Sequence, residues 1–411
     1  MNKRRVVVTG YGAISPLGEN SHDIWHEIID KSIGYEYIDL TKYNIKSKYF
    51  GLVKNIPSIA KREIDRCLGR EGKLSVHAAS EAIQHAFPEG NLSTYYSSDK
   101  MGVILGVGWG GSDAYVDLAE KHQKNRYAYP FSNLLTMAST PAGACAILFN
   151  LQGYQNTVVA ACASGSLSIG QAYREIQRGT VDMMLAGGME SMRTPAAIWS
   201  IDVLQALSKE QHDITKASCP FSADRNGFVL SEGAAMLVLE EYESARRRDA
   251  PILGEILGYG YRCDAVGFVN LSDDISIRAD TITQVIQEAR ISSAEIQYIN
   301  AHGTSTLEND LHETLSLKHA LGKMAYNIPI SSTKSYTGHL IGAAGALESI
   351  ICLKAIETGI MPATLNLQNV CSECDLDYLP NEHRFGLVER CLNLSAGFGG
   401  HNTALLFGKY S

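Results

Sequence analysis

The segment "TVVAACASGS" (157–166) runs from β-branched residues through Cys162 into small residues, and "LSIGQAYREIQRG" behind it has the pattern of a helix. A thiol in the first turn of a helix lies near unpaired backbone N–H groups and the positive end of the dipole, which favour a thiolate and can donate to an oxyanion. Ala163, Ser164 and Gly165 leave room for a substrate to approach. Cysteine is also among the most buried residue types, so this segment alone leaves a packing role open. "NAHGTST" places His302 at the end of a strand, beside Gly303 and the hydroxyls of Thr304 and Thr306. That is an imidazole at an open loop, although a lone histidine is more often structural. In "SSTKSYTGHLIGAAGA", Lys334 and His339 lie on either side of a turn that opens a small-residue helix. A lysine between an apolar strand and an apolar helix needs a carboxylate partner, and Glu348, Glu313 and Asp310 are the candidates. "LSAGFGGHN" sets Phe398 among glycines. Such a loop can aim N–H groups into a site with the ring as a gate, or can simply be a tight turn before the last strand. One cysteine, two histidines and a lysine, each at a strand-to-helix transition, point together to covalent catalysis.

These residues need a scaffold of strands and helices, and the chain supplies one. Short apolar runs alternate with helical patterns: "RRVVVTG" then "SHDIWHEIIDKS", "MGVILGVG" then an apolar helix near "TMASTPAGACAILFN", and "NTVVAACA" then its helix. This alternation predicts α/β layers around central sheets. "PILGEILGYGYRCD" echoes "RRVVVTGYGAIS", and "IPISSTKSYTGHLIGAAGALESIICLKAIETG" repeats the strand, small-residue loop and helix plan of 156–179. Two similar halves are expected, residues 1–250 and 251–411, with loops at their strand ends converging on one site.

Composition excludes several classes. With 411 residues, 45% apolar and 19% charged, the chain is an ordinary globular one. A net charge of −8 without a long basic run argues against nucleic-acid binding. The apolar run after the basic start meets Gly10, Gly12 and Pro16 too soon for a signal peptide, and "HLIGAAGALESIICLKAI" is broken by Glu348 and Lys354. A cytoplasmic enzyme is expected. Nine scattered cysteines fit free thiols in a reducing compartment. "CSEC" at Cys371 to Cys374 has no second pair to complete a zinc site, so neither metal nor redox use is expected of it.

Taken in order, "VVVTGYGAISPLG", "ACASG", "DRNGFVLSEGA", "NAHGTST", "STKSYTGHLIGAAGALES" and "GFGGHN" resemble the β-ketoacyl-acyl carrier protein synthases of the thiolase superfamily, especially the synthase II type. The resemblance runs essentially end to end. It implies an α/β thiolase fold of duplicated halves in five layers, αβαβα, and a homodimer or a heterodimer with a related ketosynthase-like subunit. It implies decarboxylative Claisen condensation of a malonyl-carrier with an acyl group on Cys162, in fatty-acid or in type II polyketide or aryl-polyene-like biosynthesis. His302 and His339 then serve the malonyl group, and Lys334 supports them. Phe398 is the gate, its backbone N–H joining that of Cys162 in the oxyanion hole. Thr304, Thr306, Gly399 and Trp109 fall at substrate-binding positions. Lys61, Arg62, Arg66, Arg70 and Lys73 fall where such enzymes dock the acidic acyl carrier protein. No metal or cofactor is implied beyond the carrier's phosphopantetheine arm. A degradative thiolase would use a second late cysteine where this chain has "GFGGHN", and a non-catalytic chain-length factor would lack Cys162. Departures from the family pattern are Trp109 for a smaller acyl-pocket residue, Ala396 for phenylalanine, His401 for threonine and Leu307 for proline. The indole is expected to restrict the acyl chain to short, planar or unusual groups, or to send it elsewhere.

Overall fold

The computed structural model describes residues 3–59 and 61–410. The apolar runs of the first half form strands β1 (Val6–Ile14), β2 (Met101–Val107), β3 (Gln155–Val159), β4 (Met183–Glu190) and β5 (Gly233–Glu241). Those of the second form β6 (Gly254–Cys263), β7 (Tyr298–Asn300), β8 (Ile330–Ser331), β9 (Arg390–Gly397) and β10 (His401–Gly408). All belong to one hydrogen-bonded sheet in the order β8-β7-β9-β10-β6-β1-β5-β4-β2-β3. Outward from the β6–β1 junction, both halves read first, fifth, fourth, second, third strand. The senses also match: β2 is parallel to β3 and β4, as β7 is to β8 and β9, and the remaining pairs within each half are antiparallel. Among the described residues, Val7 with Glu255 and Val8 with Gly254 are the pairs across the junction.

Six helices make the layers: α1 (Arg70–Ala86), α2 (Thr140–Phe149), α3 (Ser164–Arg178), α4 (Ser276–Ala289), α5 (Leu307–Leu321) and α6 (Ala344–Thr358). Successive strand residues point to opposite faces. Ile104, Met184, Leu237 and Leu239 thus pack inward with Leu405 and Phe407 against the central α3 and α6, through Leu167, Ile169, Leu347 and Ile350. Val103, Leu105, Leu185 and Val238 pack outward on α1 and α2, through Leu74, Ala82 and Ala142. Leu392, Leu394 and Leu406 pack on α4 and α5, through Ile282, Val285 and Leu317. This is the expected αβαβα order, with the two half-sheets joined along one edge. Among the described residues no helix is long and apolar enough to cross a membrane.

The two central helices are entered alike. A 3-10 turn precedes each, Ala161–Ala163 before α3 and Ile341–Ala343 before α6. The first residue of each turn, Ala161 or Ile341, has φ +47°, and each helix ends on a left-handed glycine, Gly179 or Gly359. These two elbows carry the chemistry-bearing residues.

Candidate active site

Cys162 is the middle residue of the first elbow and is 6% exposed. Ser164 braces the turn: its Oγ accepts the Ala160 N–H at 2.9 Å and donates to the carbonyls of Val107 and Ala161. Burial pushes the thiol up to about 12, with Lys334 pulling it down and Glu190 pushing it up. Desolvation at this buried position thus works against the thiolate that a helix start favours. Beneath the elbow lies Glu190, at the end of β4, which the sequence reading missed. It is fully buried, accepts the N–H groups of Gly108 at 2.7 Å and Trp109 at 3.3 Å, and is raised to about 8 by burial. An acid closing the apolar strand "MMLAGGME" was the available signal.

His302 follows β7. Its loop is clamped by Glu313 of α5, which accepts the N–H groups of His302 at 2.8 Å and Gly303 at 2.7 Å and lies 3.3 Å from Arg278. His339 leads into the second elbow, where its Nδ1 accepts the Ile341 N–H at 3.3 Å. The proton of a neutral ring is thereby assigned to Nε2. The two rings are 5.4 Å apart between centroids and nearly perpendicular, and the edge of Phe228 abuts His339 at 5.1 Å. Among the described residues, His302 Nδ1 and His339 Nε2 are buried without a protein partner. Such atoms call for a ligand to complete them. Burial, reinforced by Lys334, holds both imidazoles well below the usual range; His339 and Arg278 add to the effect on His302. Both rings are neutral hydrogen-bonding groups near pH 7.

Lys334 is 2% exposed and ion-paired to Glu348 of α6. Of the three candidate partners the fold selects Glu348. Glu313 holds the His302 loop, and Asp310 accepts the Phe221 N–H at 2.8 Å. Burial raises Glu348 and Lys334 opposes that shift.

Cys162, His302, His339, Thr304, Thr306 and Phe398 line one cavity of about 350 Å³, together with Phe228 and the departures Leu307 and Ala396. Thr304 and Thr306 face each other at 2.9 Å between hydroxyls. Phe398 sits in the turn between β9 and β10. A Cβ on the preceding Gly397 would come within 3.1 Å of the Cys162 nitrogen, so glycine lets that turn lie against the first elbow. Segments the sequence reading passed over complete the wall, Val269–Leu271 and Leu204 among them.

Other expected residues fall elsewhere. Gly399 is exposed and outside the lining, its N–H donating to Phe268 O. His401 accepts from or donates to the Tyr261 hydroxyl at 3.1 Å and is not in the wall. Trp109 does not line the Cys162 cavity. It packs on the apolar cluster that contains Cys162, Met192 and Ile198, and it lines a neighbouring cavity of about 450 Å³ with Tyr115, Val116 and Ala197. In the basic segment Lys61, Arg62 and Arg66 are exposed. Arg70 is not free for docking: its guanidinium clamps the buried Glu232 carboxylate at 2.7 Å. Lys73 is half-buried and paired with Asp65 at 3.0 Å.

A duplicated αβαβα fold with a helix-start thiol, two neutral imidazoles and a buried lysine defines a thiolase-fold condensing enzyme. Residues 3–245 match the model for the β-ketoacyl synthase N-terminal domain and residues 253–368 that for its C-terminal domain. The 3-oxoacyl-[acyl-carrier-protein] synthase 2 of Synechocystis sp. is 38% identical, with 100% of this chain and 99% of that protein covered. A β-ketoacyl synthase from Burkholderia phymatum superposes with a TM-score of 0.91 at 31% identity, covering 99% of this chain and 100% of that one. A ketosynthase structure, that of a type II polyketide acyl-carrier protein in complex with its ketosynthase bound to a hexaketide, gives 0.89 at 31% identity and 100% coverage of both chains. The chain belongs to the β-ketoacyl synthase family, whose members are acyltransferase-type condensing enzymes.

Proposed function

We propose that this chain condenses an acyl group held on Cys162 with a malonyl group delivered on an acyl carrier protein. The observation that carries the reading is the single cavity shared by Cys162 and the unpartnered nitrogens of His302 and His339. Cys162 sulfur attacks the acyl thioester carbonyl, and the carrier thiol leaves with the proton that Cys162 gives up. The N–H groups of Cys162 and Phe398 are the donors for the tetrahedral oxyanion. Malonyl thioester then loses CO2, and its electron pair moves into an enolate whose oxygen sits between the two neutral imidazoles. Neutral rings suit this role, since a donor that keeps its proton stabilises the enolate without quenching it. The carbanion attacks the acyl-cysteine carbonyl, forming the new C–C bond and returning the Cys162 sulfur. Lys334 acts as a positioning residue, tying the segment that leads into the second elbow to α6 through Glu348 and lowering both imidazoles. These steps use only the chain's residues and the carrier-bound thioesters.

The test is incubation with acyl- and malonyl-carrier. A 3-ketoacyl product with an acyl adduct mapped to Cys162, both lost in Cys162→Ala, supports the reading; a chain that is never acylated is a non-catalytic partner subunit instead.

Trp109 lines the neighbouring cavity and packs its indole on the cluster that contains Cys162, where it takes up space beside the thiol, which supports a preference for short or planar acyl groups and a specialised polyketide-type pathway over long-chain elongation. Dodecanoyl-carrier should be used poorly beside hexanoyl-carrier and regain rate in Trp109→Ile; equal use unchanged by the substitution overturns it. Carrier docking rests on Lys61, Arg62 and Arg66, which leaves a net-negative chain a local basic patch. Charge reversal at Arg62 and Arg66 should raise KM several-fold with kcat kept. The dimer partner, an identical chain or a related subunit, is read out by the mass of the purified assembly. Nine free cysteines support a cytoplasmic location.

A further inference from the structure

In the fold the Cys371–Cys374 pair spans a tight turn. The chain turns back there: the N–H of Cys374 donates to the Cys371 carbonyl at 2.9 Å. This i to i+3 bond of a β-turn keeps the two Cα atoms within about 7 Å. A disulfide needs about 4.4–6.8 Å. Both thiols are free, Cys371 half-buried and Cys374 fully buried. Among the described residues no third ligating side chain makes the pair a metal site.

The turn is sewn to residues 221–225. Cys371 N–H donates to Phe221 O at 3.0 Å, and the Asn369 amide donates to Asp224 at 2.8 Å. The same stretch carries the buried Arg225, whose guanidinium donates to Ser222 O at 2.8 Å and whose charge acts on the Cys371 thiol. Burial works to raise Cys371, but Arg225 and the N–H groups of Glu373 and Cys374 outweigh it and leave the thiol below its ordinary range. Burial pushes Cys374 up to about 11. An accessible low thiol beside a buried high one is the asymmetry of an attacking and a resolving sulfur. Arg225 also donates to the carbonyls of Thr306 at 3.2 Å and Leu307 at 3.0 Å, so the same guanidinium touches the wall of the Cys162 cavity.

We propose that Cys371 and Cys374 are a hydroperoxide-reactive dithiol that closes to a disulfide within the turn. The Cys371 thiolate attacks one peroxide oxygen, the O–O bond breaks, and the departing oxygen leaves as water or alcohol after taking a proton. The Cys374 thiol then attacks the Cys371 sulfenic sulfur, the S–S bond forms and the sulfenic oxygen leaves as water. Two electrons pass from the dithiol to the peroxide, and a thiol reductant reverses the closure.

The full-length reduced protein is treated with one equivalent of hydrogen peroxide, alkylated and peptide-mapped. The peptide spanning both residues should lack the mass of two hydrogens and take no alkyl group. Cys374→Ser should leave a sulfenic acid on Cys371 that dimedone traps. In untreated protein at neutral pH, Cys371 should alkylate about threefold or more faster than the exposed Cys263. The proposal is overturned if both thiols stay alkylatable after peroxide, if dimedone finds no Cys371 adduct, or if Cys371 reacts no faster than Cys263. All three readouts are of thiols, so they stand apart from the condensing activity.

Discussion

The two elbows, Ala160 to Arg178 and Leu340 to Thr358, are the same structural device put to different ends. Both bend through a non-glycine residue at φ +47°, both open a helix through a 3-10 turn and both close on a left-handed glycine. A buried isoleucine in that conformation is rarer than an alanine, so the second elbow holds its bend against a larger steric cost. The next position separates them: Cys162 in the first, Gly342 in the second. A Cβ on Gly342 would meet Gly108 N at 2.6 Å and Met189 O at 2.7 Å, in the loop and strand end that Glu190 ties together. The second elbow therefore gave up a side chain to let the first half close against it. What it contributes instead precedes the bend: His339, fixed by the Ile341 N–H, and Lys334. Duplication supplied two bends, and only one had room for a nucleophile.

The largest effect expected from breaking this division is at the first elbow. Cys162→Ala should lower kcat/KM by about four orders of magnitude or more while leaving the thermal midpoint near that of the parent, measured by product formation and calorimetry. At the second elbow the burden is structural as well. Lys334→Ala leaves Glu348 charged and buried, and should cost about 3–5 kcal/mol in denaturant unfolding; Glu348→Gln in the same chain should restore part of it. Gly342→Ala should cost about 1–3 kcal/mol by overpacking. If Gly342→Ala melts with the parent, the account of why the second elbow lacks a side chain is wrong. The smallest effect is a pH trend. Depressed, buried imidazoles stabilise the fold fully above their unfolded value of 6.5 and progressively less as pH falls below it. Glu190 and Glu71, raised by burial to about 8 and about 7, act in the opposite sense, losing stabilisation as pH rises through those values. The measurement is therefore the stability difference between the parent and His302→Gln/His339→Gln, which should shift against the parent on acidification from 7 to 5.

Much of this was legible in the chain itself. Strand and helix periodicity fixed the alternation of elements, and the echo of "RRVVVTGYGAIS" in "PILGEILGYGYRCD" anticipated β1 and β6, which prove to be matching first strands. Cys162, His302, His339, Lys334 and Phe398 were each marked by small or polar residues at the end of an apolar run. Less legible were residues that act through another segment. Glu313 had been one of three possible partners for Lys334, and only the packing of α5 under the His302 loop shows it serving two backbone N–H groups. Arg70 looks like its basic neighbours in sequence, and only its approach to Glu232 removes it from the docking surface.

By itself, then, the sequence determined the chemical types and their local settings, because periodicity, turns and helix starts are written in neighbouring residues. The tertiary structure alone decided which of those settings share a cavity. Cys162 and the histidines come from different halves of the chain, Trp109 lines a neighbouring cavity and not the one that holds Cys162, and Cys371 meets the charge of Arg225. Each of these depends on distances of a few ångströms between segments remote in sequence, which are set by how layers pack and not by any local pattern.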